Sequence, residues 1–92
     1  MILTFNCPDT EALFNGQRIV RFVNIQSVAI RKLAMINRVA KVEELRVPPG
    51  NRLEALKGNR AGQHSIRIND QWRVCFVFTN GHATNVEIVD YH

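Results

Sequence analysis

The chain has two cysteines, Cys7 and Cys75, and no Cys-x-x-Cys or His-rich spacing. Two are too few for a disulfide framework, and that spacing is what a zinc site would need. Both are expected to be small buried hydrophobes in a reducing cytoplasm, and no metal or cofactor is implied. No run approaches the roughly 18 apolar residues of a membrane span. The apolar start Met1-Ile2-Leu3 lacks a charged leader and a cleavage site, so a soluble cytoplasmic protein is expected. There are no repeats, low-complexity segments or linkers, and 92 residues are expected to form one domain over 1–92.

Hydrophobic residues make up 46% and charged residues 22%, an ordinary globular composition. Twelve Lys+Arg against eight Asp+Glu give a net charge of +4, and nine of the twelve cations are arginine. Arginine's planar fork suits phosphate, whereas lysine is the usual choice for solubility alone. Where the arginines fall decides their meaning.

Met1 to Phe5 reads as a strand, broken by Cys7-Pro8-Asp9. Asp9 or Thr10 is placed to cap a short helix that runs through Phe14 toward Gly16. From Ile25 to about Val42 the period is helical: Ile25, Val28, Ala29, Leu33, Ile36, Val39 and Ala40 share one face. Pro48-Pro49-Gly50 is a strong turn signal, and Arg52 to Arg60 reads as a loop pinned by Leu53 and Leu56. Three strands follow: Ser65 to Ile68, Trp72 to Phe78 and Thr84 to Val89. Asn69-Asp70 and Asn80-Gly81 are their turns. The order predicts an α+β two-layer domain, with the helices on one face of an antiparallel sheet and the N-terminal strand joining a C-terminal three-stranded meander.

Strand alternation puts Trp72, Val74, Phe76 and Phe78 on the helix side with Ile66, Ile68, Val86 and Ile88. Arg67 and Arg73 then share the opposite face on adjacent strands. Two such guanidiniums repel unless an anion lies between them, or unless Glu87, of matching parity, pairs with them. Arg52, Lys57 and Arg60 precede these strands, so five cations fall within 22 residues that feed one sheet face or its rim. Such a cluster is the electrostatic footprint expected for nucleic acid. Aromatic residues are scarce there and Trp72 is expected to be buried, which argues against base stacking and for backbone contact.

Asp90-Tyr91-His92 continues the last strand. His is the side chain whose ordinary pKa lies closest to neutrality, and Asp can act as a base or orient one, although a terminal triplet can also be frayed and solvated. His64 and His82 are expected to be surface residues.

The run from Leu53 to Phe76, with Lys57-Gly58-Asn59-Arg60-Ala61-Gly62 ahead of two Arg-bearing strands, resembles the RelE-like toxins. It is most similar to the HigB (host inhibition of growth) branch, whose chains close on Asp-Tyr-His as Asp90-Tyr91-His92 does here. The resemblance covers essentially the whole chain and implies a two-layer RelE-like fold. It further implies a type II toxin that cleaves messenger RNA in the ribosomal A site without metal, the RNA's own 2′-hydroxyl attacking the adjacent phosphate. Lys57, Arg73, Asp90, Tyr91 and His92 fall on functional positions of the branch, and Arg67, Arg60 and Arg52 are implied RNA contacts. A helix-turn-helix antitoxin is the implied partner, through which alone the toxin would meet promoter DNA. Glu54 stands where some members carry a His that contributes to activity. Glutamate could serve as a base, but it would repel phosphate unless neutralised, so its role stays open. A different class of function, a non-catalytic module binding RNA, the ribosome or the antitoxin through the same face, fits the same charges.

Overall fold

A computed structural model describes residues 1–90. Two α-helices, α1 (Pro8–Phe14) and α2 (Gln26–Arg38), precede four strands: β1 (Glu54–Ala55), β2 (His64–Arg67), β3 (Trp72–Thr79) and β4 (His82–Asp90). The strands form one antiparallel sheet in the order β1-β2-β3-β4. This is the expected α+β arrangement with a strand added at the edge. β1 is only two residues long, pairing Glu54 with Ser65 and Ala55 with His64. It lies inside the segment expected to be a loop, and two residues are too few to show a period of two.

The helix side of the sheet carries the core. Ile66, Val74, Phe76, Val86 and Ile88 meet Leu13, Phe22, Ala29, Leu33 and Ile36, all of them buried. Trp72 is half-buried and meets the Phe22 ring edge-on at 5.6 Å. His64 corrects an expectation: it is half-buried in the core-side row, stacked on Phe76 at 6.3 Å, whereas His82 is exposed.

α2 ends at Arg38, short of the expected Val42. Val39 is extended, and the Glu44 carboxylate accepts the backbone N–H groups of Ala40 and Lys41 at 2.9 and 2.7 Å. That carboxylate captures donors at the start of a new 3-10 turn, Val42–Arg46, and so competes with continuation of the helix. The buried Asn51 then fixes the following loop. Its amide donates to the Leu45 carbonyl at 3.1 Å, and its side-chain oxygen accepts from Lys32 of α2.

The N-terminal segment does join the sheet, beside β4, but as two isolated parallel bridges, Ile2 to Ala83 and Phe5 to Val86. A bulge explains the interruption. Cys75 opposes Glu87 and Val77 opposes Thr84, so β4 holds one extra residue, and Asn85 within it takes φ 54. The Asn85 N–H turns to the Thr4 hydroxyl at 2.9 Å. Beyond the last bridge the buried Thr10 of α1 takes over, its Oγ1 accepting the Ile88 N–H at 3.0 Å. Thr10→Val keeps the shape and strands that buried donor, which costs about 1–3 kcal/mol. A lower urea midpoint with unchanged m-value is the expected result, and an unchanged midpoint would contradict the assignment.

Candidate nucleic-acid interface

The face of the sheet away from the helices is built in two rows. Strand register aligns Glu54, Ser65, Cys75 and Glu87 across β1 to β4, and Arg67, Arg73 and Val89 in the next row. Residues directly opposed point the same way, so the alternation that buries Ile66 and Val74 delivers Arg67 and Arg73 to this face as neighbours.

In the free protein, acids other than the expected Glu87 relieve their repulsion. Glu87 pairs with Arg60, Nη1 to Oε1 at 2.9 Å, and not with the strand arginines. Arg67 turns to Asp70 in the β2–β3 turn, a pair whose carboxylate is 99% exposed and therefore readily exchanged for another anion. Arg73 turns to Glu54, Nη1 to Oε1 at 3.0 Å. Its Nε donates to Ser65 Oγ at 2.9 Å and its Nη2 to the Arg52 carbonyl at 2.8 Å. With its side chain only 11% exposed, Arg73 is the most firmly held cation of the face.

The other expected residues spread around this centre. Arg60, in the short turn Gly58–Arg60, lies over the sheet and also donates to Gln63 at 3.1 Å. Lys57 is exposed at the start of the same turn, with no ion-pair partner among the described residues. Arg52 has an exposed side chain and a left-handed backbone, φ 47, and touches Arg73 through its carbonyl. Asp90 ends β4 opposite Trp72, in the alternation row of Val86 and Ile88, and accepts from the Gln71 amide at 3.1 Å. The structure therefore brings Arg73, Arg67, Arg60 and Glu54 together and sets Asp90 at a corner of the sheet, off the row that bears Arg67 and Arg73. Tyr91 and His92 lie outside the described residues. Ser65 went unremarked in the sequence, although its parity with Arg67 already placed it on this face.

Residues 15–92 match the family described as RelE-like toxin of type II toxin-antitoxin system HigB. The chain belongs to this family. Toxin HigB-1 of Vibrio cholerae serotype O1 is 36% identical over 87 residues, 92% of this chain and 92% of that protein. Endoribonuclease HigB of Proteus vulgaris is 44% identical over 41 residues, 45% of each chain. Among solved structures, a chain of the heterotetrameric YoeB-YefM toxin-antitoxin complex from Staphylococcus aureus superposes with a TM-score of 0.58 at 17% identity. The alignment covers 100% of this chain and 98% of that one. At that identity the likeness concerns the RelE-like fold alone.

In this HigB-family chain the arginine face also covers a thiol. Burial pushes the Cys75 thiol up, Glu87 adds to that, and the Arg60 and Arg73 charges partly oppose it. At Cys7 burial also pushes upward. Hydrogen bonds from Thr10 and Asp9 and the nearby Arg21 charge outweigh it and hold the thiol below its usual range. Disulfide-exchange reagents act on the thiolate. At neutral pH one thiol per chain should therefore react quickly, and Cys7→Ser should remove that phase. Cys75 should react only after denaturation; fast labelling of Cys75 in the native protein would contradict the covered face.

Proposed function

We propose that this chain is an endoribonuclease, the toxin of a type II pair, which cuts messenger RNA in the ribosomal A site and so stops translation. The observation that carries this reading is the arginine face of a HigB-family chain: a firmly held Arg73 beside Arg67 and Arg60, with Lys57 exposed at the start of the turn that carries Arg60. The endoribonuclease name of the Proteus vulgaris relative supports it.

The chemistry follows from what RNA supplies. The 2′-oxygen attacks the adjacent phosphorus, the bond to the 5′-oxygen breaks, and a cyclic phosphate and a 5′-hydroxyl remain. One proton leaves the 2′-hydroxyl and one reaches the departing oxygen, so the proton count balances, and the nucleophile is the RNA's own 2′-oxygen and not a metal-activated water. Negative charge builds on the non-bridging oxygens, which Arg73, Arg67 and Lys57 are suited to neutralise. The protein must also hold the 2′-oxygen, the phosphorus and the leaving oxygen in line. We assign proton transfer to Asp90 and His92 at the end of the chain, and orientation of the RNA to Tyr91. Arg60 and Arg52 are assigned to flanking backbone contacts. The partner is an antitoxin with a helix-turn-helix domain, the toxin reaching DNA only through it.

Primer extension on a defined transcript tests the proposal. Purified protein should give A-site cuts with ribosomes present and none without them. Equal cutting without ribosomes would refute the ribosome dependence. No cutting under either condition, with ribosome association retained, would support the non-catalytic module instead, a reading that the corner position of Asp90 favours.

A further inference from the structure

Arg73 is gripped from three separate pieces of backbone. Its Nε donates to the hydroxyl of Ser65 on β2, a residue with no solvent exposure, at 2.9 Å. Its Nη2 donates at 2.8 Å to the carbonyl of Arg52, which follows the Pro49–Asn51 turn in a left-handed conformation. Its Nη1 meets Glu54 of β1 at 3.0 Å. Each guanidinium nitrogen is thus committed to a different element. The Arg52 carbonyl is itself held, because the adjacent Asn51 is buried and tied to Leu45 and to Lys32 of α2.

The grip fixes the guanidinium before any ligand binds. An exposed arginine on a sheet would keep its side-chain freedom and its hydration, and gains little from a single ion pair. Fixing all three nitrogens removes that freedom in advance, which is what a group must have when it stabilises charge that appears only as the reaction proceeds. A serine is the smallest residue able to accept from Nε without filling the space the guanidinium occupies. Glu54, with its side chain 53% exposed, sits at the open side of the grip and neutralises the charge there.

We infer that Ser65 and Glu54 are positioning residues for Arg73, Ser65 fixing the plane of the guanidinium through Nε and Glu54 steering Nη1, so that Glu54 orients Arg73 and does not act as the general base. This rests on the reading of Arg73 as the phosphate-binding group.

The test is single-turnover cleavage of ribosome-bound transcript by a set of variants, each normalised to its folded fraction. Ser65→Ala should lower kcat about tenfold with KM nearly unchanged, because the lost contact acts on charge in the transition state. Arg73→Lys keeps the charge but has no Nε, so on that background Ser65→Ala should cost no further activity. Additive losses would show that Ser65 acts elsewhere and would overturn its assignment. Glu54→Gln keeps an acceptor for Nη1 and should stay within about tenfold of wild type, whereas loss of a general base costs about 100- to 10,000-fold. A drop of that larger size would overturn the role given to Glu54. If Arg73→Ala itself cleaves at the wild-type rate, the reading of Arg73 fails and the inference with it. An inactive Arg73→Ala beside a fully active Ser65→Ala would sink the positioning claim alone. Melting curves separate these outcomes from loss of fold: a merely structural Ser65 would lower the melting temperature and leave kcat per folded molecule unchanged.

Discussion

Arg73→Ala is expected to lower the cleavage rate about 100- to 1,000-fold, the loss typical when one fixed donor to transition-state charge is removed. The effect should be in kcat, with ribosome association within a few-fold of wild type, since Arg67, Arg60 and Lys57 remain for backbone contact. The substitution should leave the sheet assembled. Ser65 loses its guanidinium partner, but the core lies on the other side of the sheet, under Ile66, Val74 and Phe76. Growth on induction, with and without the antitoxin, gives the same answer in cells. Arg67→Ala should be milder, because among the described residues Arg67 is held by Asp70 alone, whose side chain is almost fully in solvent. Equal losses for the two would mean that the hold on Arg73 confers nothing.

The largest effect on stability is expected from Phe76→Ala. Phe76 has no solvent exposure, lies mid-way along β3, and packs against His64 and Phe78 with ring separations of 6.3 and 6.5 Å. Truncating a buried Phe costs about 3–5 kcal/mol through lost transfer energy and the cavity left behind. Domains are usually stable by only about 5–15 kcal/mol, so a large share of this chain's stability would go. Urea denaturation followed by tryptophan fluorescence reads it directly, since Trp72 lies on the same face of the same strand. A midpoint close to wild type would mean that the centre of the sheet is not packed as described.

The sheet was largely legible from alternation. Trp72 to Phe78 gave both the strand and its buried side, and Asn80-Gly81 gave the turn, both residues taking positive φ there, 54 and 82. The same parity placed Arg67 and Arg73 side by side. The helical period from Ile25 found the buried face of α2, Ala29, Leu33 and Ile36, but not its end. That end depends on Glu44, a carboxylate reaching back to the backbone from beyond the helix. β1 could not be read because its two residues become a strand only by pairing with β2. The bulge at Asn85 is hidden for a related reason: it exists only in the register between β3 and β4. Of the candidate site, charge and parity revealed the arginines. They did not reveal which acid each would take, nor the grip on Arg73, because those depend on how the loop from Arg52 to Gln63 folds over the sheet. The tail was read as a continuation of the last strand, and β4 does run to Asp90, but alternation turns Asp90 to the row of Ile88 and away from the arginines.

The most direct test of the account is to watch the arginine side chains while RNA binds. A short RNA with a 2′-O-methyl group at the scissile nucleotide cannot react, and titrating it into 15N-labelled protein reports on each guanidinium through its Nε–H resonance. The account predicts the largest shifts at Arg73 and Arg67, smaller ones at Arg60, and backbone shifts along β2 and β3. Shifts confined to α1, α2 and the segment between them, with the Arg73 and Arg67 signals unmoved at saturation, would contradict it.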